Sequence, residues 1–304
     1  MTEPASKAPS DLGRGIALVA ASAIVWSTGG VIARFLHVQD NWTIIFWRSL
    51  FAGLYILAFM LVRDGLRGTL SALGSIGLAG LGVALSFTTA STAFVVALSH
   101  TTVANILLMQ AGAPLIAALL TWGLFGERIS ASTWGAIAAV IAGVLVMVSD
   151  TFTGKLSAVG DGLAVLIAIS VATASVITRR HAHVRMTPAV FLAMVMSCCL
   201  AAWVSPPQIV SAADFGLLFA FGALNLGLGL SLFVTGARLV PAAVGALVGT
   251  IEPALGPVWV WLVHGEVPST RTLLGGALIL LALFAHLVAE WRQQWRFRSA
   301  PSAL

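Results

Sequence analysis

From Ser71 to Phe125 the chain carries no Asp, Glu, Lys or Arg, and apolar runs of 18 residues or more recur along its whole length. A hydrocarbon layer of about 30 Å is crossed by about 20 helical residues, so this one stretch holds two membrane spans. Only 9% of residues are charged, 59% are apolar and the mean hydropathy is +1.00, whereas soluble domains carry about 25% charge. With 16 basic and 11 acidic residues in 304, no soluble α/β enzyme of this size could clothe its core, and lipid must be the main solvent. Leu, Ala, Val and Gly dominate without the polar/apolar alternation of a barrel strand, so the spans are helices.

The net charge of +5 is scattered over loops with no aromatic interleaving, which argues against a nucleic-acid partner. Cys198 and Cys199 are adjacent inside an apolar run and read as packing residues, not a disulfide framework. Met1 to Asp11 has no apolar core ahead of a cleavage site and reads as a short disordered tail.

Ten spans are expected, at 14–36, 43–62, 72–98, 102–125 and 132–149, then 160–178, 188–205, 215–237, 241–263 and 271–290. The division between the third and fourth falls at Ser99, His100, Thr101 and Thr102. An even number puts both termini on one side. Placing them in the cytoplasm puts Lys7, Arg14, Arg63, Arg67, Arg128, Arg179, Arg180, Arg185, Arg238, Arg292, Arg296 and Arg298 inside, leaving Lys155 and Arg271 clearly outside. Trp42, Trp203, Trp291 and Trp295 fall near span ends, as an interfacial belt requires.

Shifted by 139 residues, the sequence meets itself: Ala104 on Ala243, Pro114 on Pro253, Trp122 on Trp261, Gly126 on Gly265, Glu127 on Glu266, Ser130 on Ser269, Thr133 on Thr272 and Ala138 on Ala277. Gly13, Gly15 and Ala17 meet Gly160, Gly162 and Ala164 at a slightly different offset. The fold class is therefore an all-α polytopic membrane protein of two repeats. The expected division is a tail at 1–12, a first repeat at 13–149, an outer linker at 150–159, a second repeat at 160–290 and a basic tail at 291–304. Five spans per repeat is an odd number, so the second copy enters the membrane inverted. Inverted repeats build two related gates around a site at mid-depth, which makes transport by alternating access the leading function.

The stretches AIVWSTGGVIARFL, FWRSLFAGL and APLIAALLTWGLFGERISASTWGAIAAVIAGVLVM, with IEPALGPVWVWLVHGEVPSTRTLLGGALILLALF in the second half, resemble the EamA-like branch of the drug/metabolite transporters. The doubled proline followed by Gly-Glu and a Gly-rich helix is the most specific part. The resemblance implies ten helices and the movement of a metabolite, frequently the export of amino acids or other amphiphiles. His264 before the second Gly-Glu departs from the pattern, and Arg48 has no counterpart, Leu192 falling near its place.

Charges present in one copy only are candidates for handling substrate or ions. Glu252 opposes Ala113 in the repeat and is a candidate ion-coupling carboxylate, or a glutamate tied to hydroxyl or backbone partners beside Pro253. Arg48 either snorkels to the outer interface or faces inward to hold a substrate carboxylate; Arg34 lies nearer the boundary. Neutral polar residues that could line a cavity are Trp26, Ser27, Ser86, Thr88, Thr89, Asn105, Gln110, Ser175 and Asn225. Pro114 and Pro253 read as symmetric bends, and Gly245 with Gly249 as a close-packing GxxxG face. Glu127 and Glu266 read as caps of the helices that follow them. His181 and His183 lack Cys or acidic neighbours, so no metal site is expected.

Nothing resembles HExxH, GxSxG or a phosphate-cradling loop, so no enzyme activity, cofactor or ATP-driven step is expected. The sequence supports export of an amphiphilic or aromatic amino acid from a cell-membrane carrier that needs only lipid and a small molecule as partners, a monomer sufficing. Uptake of phosphorylated or nucleotide sugars is the alternative, and a passive channel or intramembrane enzyme the remote ones.

Overall fold

The computed structural model describes residues 9–127, 129–149, 157–181, 185–240 and 242–298, with side chains described except at 9, 10, 242, 243 and 290–298. Lys7, Arg128, Lys155, His183, the linker from 150 to 156 and the residues beyond 298 therefore lie outside the described set, as do the side chains of Trp291 and Trp295. Among the described residues there are nine helices, or merged helices, long and apolar enough to cross a membrane, and a bent pair that makes a tenth span.

Span 1 is α1 (Pro9–Ser27) and α2 (Gly29–Phe35), span 2 is α3 (Asn41–Gly74) and span 3 is α4 (Gly77–Leu98). Span 4 is α5 (Val103–Gln110) with α6 (Ala113–Phe125), bent by 41°, and span 5 is α7 (Ala131–Val148). In the second repeat α8 (Ala158–Arg180) and α9 (Thr187–Val204) are spans 6 and 7. Span 8 joins α10 (Ala212–Phe219), a π-helical segment (Ala220–Leu228) and α11 (Gly229–Ala237). Span 9 is α12 (Ala242–Gly249) with α13 (Ile251–His264), and α14 (Thr270–Arg298) contains span 10. The face bearing residues 9 and 298 is called terminal and the opposite one distal.

The repeat is visible in its backbone. Gly126 and Gly265 both end their spans in the left-handed conformation, at φ 67° and ψ 17° and 15°, which a side chain would strain. Each glycine amide closes the last turn, on Trp122 O at 2.9 Å and on Trp261 O at 3.0 Å. The hydroxyls of Ser130 and Ser269 then cap α7 and α14, accepting the amides of Thr133 and Thr272 at 3.2 and 3.0 Å. Those hydroxyls, not Glu127 and Glu266, are the caps of the following helices, because the two carboxylates turn toward arginines. At the distal end of span 2, Asp40 caps α3; burial pushes its carboxyl up, but bonds from Thr43 Oγ1 and N and from Trp42 N outweigh this and hold it below the usual range.

Pro114 sits at the 41° bend of span 4, whereas span 9, with Pro253 just past its break at Thr250, runs on without a comparable bend. Pro114 and Pro253 occupy the first turns of α6 and α13, where a missing N–H costs nothing and the helix before them stops. Pro257 lies inside α13 as well. Span 3, placed by sequence from residue 72, begins only at Gly77. The cause is Gly65 at φ 68°, ψ 175°, which breaks the run of α3 at the terminal face and leaves Leu66 and Leu70 exposed.

The two repeats interlock. The closest-packed helix pairs are α4 with α8, α3 with α9, α7 with α14 and α1 with α11, and every one of these joins a helix of one repeat to a helix of the other. Close approach is made by glycines other than those the sequence suggested: a Cβ on Gly15 would meet Gly236 O at 3.2 Å, and one on Gly143 would meet Gly275 O at 2.7 Å. An added Cβ at Gly249 meets nothing within 4 Å and one at Gly245 meets only Val240 at ordinary contact, so the GxxxG pair is not a close helix interface.

Candidate functional site

Four of the predicted residues gather around the π-helical segment at mid-depth. Asn225 is buried at 5% exposure. Its Nδ2 donates to Val25 O at 2.6 Å and, more weakly, to Trp26 O and Thr28 Oγ1 at 3.3 Å. It thus satisfies carbonyls freed where span 1 breaks at Thr28, the role polar side chains take where a membrane helix is interrupted. Beside the break, Ser27 donates to Ile24 O and accepts from Trp259 Nε1 at 3.0 Å. The Trp26 ring lies tilted against that of Phe233 at 5.5 Å, and its Nε1 is buried without a partner.

Arg48 lies across the same segment. It is buried, so the interfacial position is ruled out: Arg48 points into the bundle at 6% exposure because α4 and the π segment pack over that side of α3. Its Nη1 donates to Ser91 Oγ at 2.7 Å, and the guanidinium carbon stands 4.3 Å from the Phe221 ring centre and 5.8 Å from that of Phe94. Nε has no partner, and no carboxylate lies within ion-pair distance among the described residues. The charge of this buried guanidinium is answered only by two aromatic faces and one hydroxyl, an incomplete set of partners for a desolvated cation.

The other candidates are dispersed. Asn105 is fully buried at the distal end of span 4, its Nδ2 bonded to Asp161 Oδ1 at 2.6 Å and Thr101 Oγ1 at 3.1 Å. Gln110 and Glu252 flank the breaks in spans 4 and 9, half-buried and without hydrogen-bond or ion-pair partners among the described residues; Glu252 is therefore not tied to hydroxyl or backbone groups. Ser175 is exposed and bonds its own Val171 carbonyl, away from the others. Ser86, Thr88 and Thr89 likewise bond carbonyls one turn back, Thr88 adding Ala193 O of span 7 at 3.2 Å.

Asp161 was not singled out by the sequence reading, although it is buried at 4% exposure in the first turn of α8. The signal was present: the GxG pairing that aligns Gly13 with Gly160 sets Asp161 against Arg14, another single-copy charge.

Among the ion pairs at the two faces, those of Glu266 and Glu127 are related by the repeat. Distally, Arg34 Nε meets Glu266 Oε2 at 2.9 Å, Nη1 and Nη2 reach Leu98 O and Thr101 O at 2.8 and 3.1 Å, and Glu266 Oε1 accepts Val103 N at 2.8 Å. On the terminal face, Glu127 faces Arg179 at 3.6 Å and Arg180 at 3.3 Å.

A bundle of interlocked inverted repeats with interrupted spans and a buried cation beside them is the architecture of a multi-pass membrane protein. The family model described as "EamA-like transporter family" matches residues 13–149 and 158–288. This chain belongs to the EamA-like transporter family and is a transporter. No curated protein matches its sequence. Among solved structures, a crystallised protein 18% identical superposes with a TM-score of 0.65 over 91% of this chain and 98% of its own, a likeness of fold alone.

Proposed function

We propose that the chain is a cell-membrane secondary transporter that exports a carboxylate-bearing amphiphile of the aromatic amino-acid class by alternating access. Arg48 carries this reading. Its unanswered charge favours an anion, and Phe94 and Phe221 beside it favour a flat apolar group attached to that anion. A sugar phosphate would call for several converging cations, and Arg48 is the one buried arginine among the described residues. The terminal face carries Arg63, Arg67, Arg179, Arg180 and Arg185, which supports a cytoplasmic location for it. With that orientation the partly buried Arg34–Glu266 pair lies outside, as in the loading state of an exporter.

The test is flux in proteoliposomes, with a panel of aromatic amino acids, their amides and sugar phosphates, with and without a proton gradient. The free acids should move. Arg48→Met should raise their half-saturation by about tenfold or more, since a hydrogen bond to a charged group is worth about 1.5–3 kcal/mol, while the amides are unaffected. A steady current without solute movement would mean a channel, and equal losses for acid and amide would remove Arg48 from the site.

A further inference from the structure

We propose that Arg34 and Glu266 are the latch of the distal gate, and that Glu127 with Arg179 and Arg180 is the same latch loosened on the terminal face. The inference rests on the transporter reading but not on the identity of the substrate.

The two pairs are equivalent by the repeat. Glu127 and Glu266 each follow the left-handed glycine that ends a broken span, spans 4 and 9. Each carboxylate faces arginine at the end of the other repeat's first span: Arg34 ends α2, and Arg179 and Arg180 end α8. Both pairs therefore cross between repeats, and inversion sets one on each face.

Their states differ. Distally the pair is partly buried, with side chains 30% and 19% exposed, and it is tied to three backbone groups that close off spans 3 and 4. Beneath it Ala93, Ala97, Val103, Leu107, Ile167 and Val260 form a dry plug drawn from spans 3, 4, 6 and 9. On the terminal face the Arg179–Glu127 side chains are 63% and 53% exposed, and the arginines are otherwise engaged. Arg179 donates to Thr121 Oγ1 at 2.9 Å and Arg180 lies over the Phe125 ring. An exposed pair at more than 3 Å adds little to closure, whereas opening the distal face must uncap α5 and free two carbonyls along with the ions. By the same inversion Leu98, Thr101 and Val103 fall on Ala237, Val240 and Ala242. In the opposite state Arg180 takes the carbonyls of Ala237 and Val240 while Glu127 caps α12.

The latch is tested by cysteine accessibility, with Cys198 and Cys199 replaced by alanine. Ala93→Cys lies in the plug at 5% exposure and reports distal opening, and Ala174→Cys, at 2% and packed with Val83 and Ala189, reports any general loosening of the bundle. An impermeant thiosulfonate is applied to each face of the full-length protein without substrate. Arg34→Gln and Glu266→Gln should each speed distal labelling of Ala93→Cys about tenfold, a population shift of about 1.4 kcal/mol, and slow or spare labelling of Ala174→Cys. Glu127→Gln should not speed distal labelling. Unchanged rates in both distal variants, or equal acceleration of both reporters, overturns the latch. As a second measurement, Arg34→Cys with Glu266→Cys joined by a bifunctional thiosulfonate should stop flux of any solute the protein moves until reductant is added; undiminished flux overturns it equally. Labelling needs no substrate, so a negative panel with a positive labelling result would sink the proposed cargo and leave the latch standing.

Discussion

Arg48 and Asp161 are both buried charges in apolar helices, and they are answered differently. Asp161 takes a short bond from Asn105, while Arg48 has an unpartnered Nε between aromatic rings. Glu252 is a third case, a carboxylate beside the break of span 9 that no described side chain neutralises. Such a group is costly at mid-depth unless it handles ions or substrate. Glu252→Gln should abolish accumulation driven by a proton gradient while exchange across the membrane persists; accumulation at the wild-type level would show that Glu252 carries no proton. The repeat made Arg48 and Glu252 legible as single-copy charges, and the pairing of Gly13 and Gly15 with Gly160 and Gly162 already frames Asp161 as a charge set opposite Arg14. The inward aim of Arg48 was not legible. It depends on which side of α3 is covered by α4 and the π segment, a rotation that apolar periodicity cannot fix when every face of the helix is apolar.

At the scale of elements, the two Gly-Glu turns are the most regular part of the chain. Gly126 and Gly265 share one backbone conformation, and a Cβ on either meets nothing within 4 Å, so the cost of a side chain there is conformational only. Gly126→Ala and Gly265→Ala should each lower stability by about 1 kcal/mol, read by unfolding in mixed micelles, with asparagine in place of alanine recovering part of the loss. A loss several times larger would mean that the turns carry packing that their open surroundings do not show. The bend of span 4 and the break of span 9 were legible because proline has a local rule. The breaks at Thr28 and in the π segment were not, since Asn225 stabilises one from 197 residues away in sequence and a π segment has no compositional signature. The helical stretch after Gly65 escaped notice for the opposite reason: Ala72 and Leu73 read as the start of span 3, yet they end α3 after the positive φ of Gly65.

For the whole molecule, ten spans and their pairing across repeats make the faces distinct. In a background lacking Cys198 and Cys199, an impermeant maleimide should label Gln39→Cys in intact cells and Ser75→Cys only after permeabilisation, both being exposed positions on opposite faces. The reverse pattern would invert the proposed orientation and with it the direction of export. Span number and repeat were legible because lipid imposes length and hydropathy on every span. The interlocking was not, because contacts such as Gly15 with Gly236 join distant small residues that leave no periodic trace. Spans 1, 4, 8 and 9 are each interrupted or distorted near their middle, so polarity at mid-depth is supplied in good part by the main chain. Main-chain polarity survives substitution of any neighbouring side chain. A carrier built this way keeps the polarity of its middle while the side chains around it change.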